Sequence, residues 1–208
     1  MELLEQLSSQ TGERTGNTLV ASKCIEDNHL LKKIADGLSN SDNKIIIDCT
    51  EVMTEVAKIQ PQLIVQYVSL LPEILDNKNN RARWESMHSL ALIAEFIPKI
   101  INSNFDRICG FIENDKSVIV RDYALDALSN YGSIGKITSK EVYPILIRSM
   151  SLWDKRHSKK ILIGLTLIEE HLPEKKSEIL AIAEQYISSE KASIKQAAKR
   201  LQKKINKK

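Results

Sequence analysis

The sequence predicts an all-α chain of about five antiparallel helix pairs in tandem. Three observations carry this. A helical apolar stripe recurs five times, at steps of 37 or 38 residues. Prolines mark the junctions between apolar segments at the same period. The 208 residues hold only 7 Gly, 5 Pro and 5% aromatics against 42% hydrophobic residues, too few turn and strand formers for an all-β sandwich.

The stripe is clearest in VIVRDYALDALSNY, where Val120, Ala124, Ala127, Leu128 and Tyr131 stand at i, i+4, i+7, i+8 and i+11. One step toward the N-terminus the same positions read Ala82, Ser86, Ser89, Leu90 and Ile93, and a further step reads Ile45, Cys49, Val52, Met53 and Val56. Toward the C-terminus they read His157, Ile161, Gly164, Leu165 and Ile168, then Ile194, Ala198, Leu201 and Ile205. The small or apolar position Cys49, Ser86, Ala124, Ile161, Ala198 advances by 37, 38, 37 and 37. Such a fixed period is the signature of a repeat array.

Each striped segment follows another helix. In order these are residues 29–38 (HLLKKIADGL), 62–75 (QLIVQYVSLLPEIL), 99–113 (KIINSNFDRICGFIE), 140–150 (KEVYPILIRSM) and 176–187 (KSEILAIAEQYI). Polar turns SNSDN, DNKNN, NDKS, LWDK and SSEK join the two helices of a pair, and their Asn, Asp and Ser suit N-caps. Pro61, Pro98 and Pro173 open new segments, because proline fits a first helical turn and disfavours helix just before it. One such pair cannot bury its apolar face alone, so neighbours must stack into a continuous core.

These residues together resemble a HEAT-repeat protein, an armadillo-type α-solenoid. The matching features are the turn residues Asn79 and Asp115 and the basic residues Arg83, Arg121 and Lys195 early in second helices. The small residues Ser86, Ala124 and Ala198 and the prolines Pro72 and Pro144 within first helices also match. The period is short for that family, and Ile46 and Ser158 stand at the basic position of repeats one and four. The tetratricopeptide pattern fits less well, since its period is 34 and its Trp, Gly, Tyr signature is missing. The resemblance implies a right-handed α–α superhelix over residues 24–208, with repeats at about 24–60, 61–97, 98–135, 136–173 and 174–208. Residues 1–23 are expected to form an N-terminal capping segment. In such a solenoid the second helices line a concave side, and Arg83, Arg121 and Lys195 form a structural ladder bonding the turn acids of adjacent repeats.

Charge is uneven. Residues 174–208 hold ten Lys/Arg and four Glu, a net of +6, while residues 1–173 hold 20 bases and 23 acids. Asp48, Glu51, Glu55, Glu85, Asp122 and Asp126 make the earlier second helices acidic, and Lys159, Lys160, Lys195, Lys199, Arg200, Lys203 and Lys204 make the far end basic. A groove for duplex DNA should be basic throughout, since each phosphate contact needs a nearby cation. The expected association with nucleic acid is therefore weak, non-specific and salt-sensitive.

No catalytic or nucleotide-binding motif is present, and the four histidines, His29, His88, His157 and His171, show no metal-ligand spacing. Neither a cofactor nor a metal is expected. Cys24, Cys49 and Cys109 read as buried reduced thiols. The acidic start, MELLEQLSSQ, lacks the features of a signal peptide, and no apolar run approaches the roughly 18–20 residues that cross a bilayer, so the expected address is the cytoplasm, away from membranes.

The functional expectation is a non-enzymatic scaffold or adaptor that binds a protein or peptide on its concave face, as a monomer or within a larger complex. Trp84, Glu85, His88, Asp122, Asp126 and Lys159 are its candidate binding residues, with Trp84 as anchor because the helical period turns it off the stripe. The alternative is a nucleic-acid-binding protein of the alkylpurine DNA glycosylase type, whose aromatic–carboxylate arrangement Trp84, Glu85, His88 and Asp122 partly imitate. Trp153, followed by Lys155, Arg156, His157, Lys159 and Lys160, could stack on nucleic acid or plug the end of its helix pair.

Overall fold

The computed structural model describes residues 2–207, of which the chain is 82% helical with no strand among them. The chain divides into two compact units, one ending at Asn104 and the other beginning at Phe105.

The first unit holds α1 (Ser8–Thr11), α2 (Gly16–Glu26), α3 (Leu31–Gly37), α4 (Asn43–Ile59), α5 (Leu71–Ile74), α6 (Asn80–Ile93) and α7 (Pro98–Ser103). α2 packs on α4 and α4 on α6, so three helices stand side by side, with α3 laid on α4 and α5 on α6. The second unit holds α8 (Phe105–Asn114), α9 (Val118–Gly132), α10 (Lys136–Ser149), α11 (Ser158–Ile168), α12 (Lys176–Tyr186) and α13 (Ala192–Asn206). Here α9, α11 and α13 form the row, with α8 and α10 against α9 and α12 against α13.

The apolar stripe is the core of both units. Val120, Ala124, Ala127, Leu128 and Tyr131 are buried, as are Ala82, Ser86, Ser89, Leu90 and Ile93 and the matching residues of α11 and α13. Ile45 alone departs, lying half-buried in the first turn of α4. In three of the five expected turns a polar residue caps the second helix: Asp42 accepts from the Lys44 amide at 2.8 Å, Asn79 from Arg81 at 2.8 Å and Ser117 from Val120 at 3.4 Å. Each satisfies an amide that has no partner within the helix, typically worth about 1 kcal/mol. By contrast, α11 and α13 begin after His157 and Lys191 without a side-chain cap.

Three first helices differ from the sequence expectation. Residues 62–75 are not one α-helix but a 3-10 run, Pro61–Leu70, followed by the single turn of α5. Pro72 has no amide to bond the carbonyl four residues back, and Leu71 instead bonds Val68 in the tighter 3-10 pattern. Residues 99–113 break at Asn104, whose side chain donates to the Ile100 carbonyl at 3.0 Å and so competes with the helix for it. The break coincides with the boundary between the units. Residues 29–38 open as a 3-10 turn, Asn28–Leu30, and become α-helical only from Leu31, in α3.

The N-terminal segment is also more ordered than a separate cap requires. α2 runs through the expected boundary at residues 23 and 24 and packs on α4 with Val20, Ala21 and Cys24 buried. Gly16 is needed where α2 starts, because a Cβ there would lie 2.8 Å from the Gln6 carbonyl oxygen and the Ser8 amide. The three cysteines are free and buried, and burial pushes their thiols up to about 11 at Cys24 and Cys109 and about 12 at Cys49. Such thiols are protonated and inert at neutral pH.

Candidate functional site

In the first unit the expected anchor is half-buried. Trp84 lies on α6 between the core residues Ala82 and Ser86, and its indole nitrogen donates to Glu85 Oε1 at 2.9 Å. Its helix is tied to α4 by Thr54, whose hydroxyl donates to the Glu85 carbonyl and meets the Ser89 hydroxyl, both at 3.0 Å. His88, one turn beyond Trp84, is half-buried as well. Trp84, Glu85 and His88 therefore share one stretch of α6.

Burial raises the Glu85 carboxyl above the usual carboxylate range, against the opposing hydrogen bonds from Trp84 and Thr54. A carboxyl raised in this way holds its proton more tightly in the folded chain than in the unfolded one. Its ionised form therefore weakens the fold at neutral pH, and that cost fades as pH falls. Glu85→Gln keeps an oxygen for the Trp84 indole and removes the charge. It should melt higher than the parent at about pH 7, with the gap closing toward about pH 4. Calorimetry across that range checks this, and a gap that does not change with pH would refute it.

The acids that the sequence places on α4 are engaged internally. Asp48, only 3% exposed, accepts from the Ser9 amide at 2.7 Å and from the Asn17 side chain at 2.9 Å. Glu51 accepts from Asn17 and from Arg81 at 2.6 Å, and Glu55 pairs with Lys58 at 2.6 Å. The N-terminal segment is thus fastened to α4 through Asn17, a role that its sequence position did not reveal.

The second unit contains a buried polar assembly that sequence reasoning named only in pieces. Arg121, 2% exposed, donates through Nε to His157 Nε2 at 2.9 Å and through its terminal nitrogen to the Asp115 carbonyl. Because an Arg Nε can only donate, His157 Nε2 must accept. Nδ1 then carries the proton and donates to Asp122 Oδ1 at 2.7 Å. The Trp153 ring stacks on the Arg121 guanidinium at 3.8 Å, and its indole donates to the Ile112 carbonyl at 3.0 Å. The reading of Trp153 as a plug describes this geometry, since the cation covers one face of the ring. Trp153, Asp154 and Lys155 hold φ of 53°, 53° and 60°, a left-handed stretch without glycine. His157 stands 36 residues from Arg121 and 35 from Asp122, close to one repeat, which is the signal that could have joined them.

The ladder residues also bond differently from the sequence expectation. Arg83 donates to the Asn77 carbonyl at 3.0 Å as Arg121 does to Asp115, each reaching six residues back into its own turn. The sequence reading placed these bonds on acids of neighbouring repeats. Backbone oxygen is the nearer acceptor, because carbonyls at and just past the end of the preceding helix have no intrahelical partner. Lys195 is exposed on α13. Lys160, rather than the exposed Lys159, pairs with Asp126, whose carboxyl burial raises. Lys204 is drawn out of the basic end, donating to the Thr166 carbonyl at 2.8 Å beside the buried Glu169.

The structure thus brings Trp84, Glu85 and His88 together in one unit, and Asp122 and Asp126 together in the other beside exposed Lys159. Among the described residues no cluster of three or more His, Cys, Asp or Glu could hold a metal, and no helix is long and apolar enough to cross a membrane.

No protein-family model matches the chain, and neither does any curated protein. Solved structures do. A designed armadillo repeat protein in complex with the peptide (KR)4 is similar at TM-score 0.72 and 17% identity, over 98% of each chain. An engineered protein is similar at TM-score 0.73 and 16% identity, over 99% of this chain and 98% of its own. A second engineered protein is similar at TM-score 0.71 and 17% identity over 91% of this chain, which spans half of that protein's length. At these identities the likeness shows a fold, the all-helical repeat of the HEAT and armadillo type.

Proposed function

We propose that this helical repeat chain is a non-enzymatic, cytoplasmic scaffold or adaptor whose second helices bind a protein or peptide, with Trp84 as the anchor. The observation that carries the reading is the half-exposed Trp84 on α6, held in one orientation by Glu85 beside His88. A pre-oriented indole contributes a large contact surface at low entropic cost, and tryptophan is enriched at binding hot spots. Two features agree with it. The designed armadillo protein of the same fold carries a peptide, so such a repeat can hold one. The three thiols are free, as they are in reduced compartments.

The acids of α4 and α6 and the engaged face of Trp153 both weigh against the glycosylase-type alternative, which needs a basic groove and free aromatic rings. Trp84→Ala should weaken partner capture by at least about tenfold, the roughly 1.4 kcal/mol or more of a modest hot spot, while leaving helical content and melting temperature nearly unchanged. Affinity capture from native lysate, with and without nuclease, tests this. Capture abolished by nuclease would point to nucleic acid, and capture unaffected by Trp84→Ala would move the binding surface elsewhere.

A further inference from the structure

Between α11 and α13 lies an open groove of about 140 Å³ that the candidate residues of α6 do not touch. Its floor is aliphatic. Ile163 and Leu167 stand one turn apart on α11, with Ile163 37% exposed, and the small side chain of Ala197 faces them from α13. Lys159 and Arg200 form its rim, both exposed, and no carboxylate lines it. The two helices run in the same direction one repeat apart, so Lys159 is level with Gln196 and Ile163 with Arg200.

We propose that this groove binds an acidic peptide segment carrying one aliphatic side chain, which seats on Ile163, Leu167 and Ala197. The inference rests on the peptide-binding reading above and gives the second helices of the second unit, Lys159 included, a partner chemistry that does not depend on Trp84. Three arguments select this occupant. First, an apolar cavity of about 150 Å³ holds one benzene-sized group, so the groove takes a single leucine-sized side chain. Second, its cations are exposed: Lys160 and Lys204 bond internally to Asp126, Thr166 and Glu169, whereas Lys159, which acts on Asp126 only through its field, and Arg200 face solvent, with Lys195 and Lys199 also exposed on α13. Third, Lys159 on α11 and Arg200 on α13 flank the floor from its two sides, so acids on either side of a seated leucine meet a cation from each helix. A single-stranded nucleic acid would need stacking rings, and no aromatic residue lines the groove.

The test is fluorescence anisotropy on the full chain with a labelled seven-residue peptide of glutamates and aspartates around a central leucine. The expected result is saturable binding that weakens at least tenfold in Arg200→Glu, in Lys159→Glu, and when serine replaces the leucine of the peptide. Both variants change exposed side chains, and circular dichroism confirms that each is folded. Absence of saturable binding overturns the proposal. Equal binding of the serine peptide, or of duplex DNA at the same charge, also overturns it and makes the surface a general polyanion patch. Trp84→Ala serves to separate the two readings. If it abolishes peptide binding while Arg200→Glu does not, the α11–α13 groove is excluded and the Trp84 reading stands. If Arg200→Glu alone abolishes it, the groove stands whatever becomes of the Trp84 surface.

Discussion

Arg121→Ala should lower the melting temperature by roughly 6–12 °C. The estimate takes about 3 kcal/mol for removing one partner from a buried charged assembly, and about 2–4 °C per kcal/mol for a chain of this size. Arg121 is 2% exposed and is bonded to three elements at once. Its loss takes the donor from the buried His157 Nε2 and removes the Arg121 hydrogen bond from the half-buried Asp115 carbonyl. It also strips the cation from the face of Trp153, which helps to hold a left-handed turn through Trp153, Asp154 and Lys155. Backbone of that kind costs on the order of 1–3 kcal/mol per residue and persists only while its surroundings enforce it. Arg121→Lys should fall between the two, because an ammonium cannot bond His157 and Asp115 while also stacking flat on the indole. Differential scanning calorimetry decides it. An unchanged melt for Arg121→Ala would show that the assembly does not stabilise the fold.

Ala124→Leu should cost roughly 1–3 kcal/mol by overpacking. Ala124 is fully buried on α9, which is enclosed by α8, α10 and α11. The approach of α11 is especially close. A Cβ built on Gly164 would lie 2.3 Å from the Ser129 hydroxyl oxygen and 3.1 Å from Leu146. Three additional carbons one turn away have no path to solvent and must displace a neighbour. The repeat register makes the result informative, since the equivalent position holds Ser86 in α6 and Ile161 in α11, both also fully buried. Allowed size is therefore set by each local layer and not by the repeat as such. Urea denaturation checks the prediction, and an unchanged midpoint would show that Ala124 does not face the core.

The sequence by itself determined the all-helical class, the 37–38-residue period and the buried stripe of the second helices, because burial of a helix face imposes a 3.6-residue rhythm that needs no knowledge of its partner. It also placed Asp42, Asn79 and Ser117 at caps, since a cap is a local bond within three residues. Tertiary structure alone decided what depends on distant neighbours. It carried α2 through the expected cap boundary, where α2 packs on α4. It assigned the charges as well. Asp48, Glu51 and Asp126 form part of an acidic row when read along the chain, yet Asn17, Arg81 and Lys160 reach them across 30 or more residues. Whether a charge remains available for binding depends on the side chains that the fold brings within about 3 Å, and one-dimensional spacing does not contain that information.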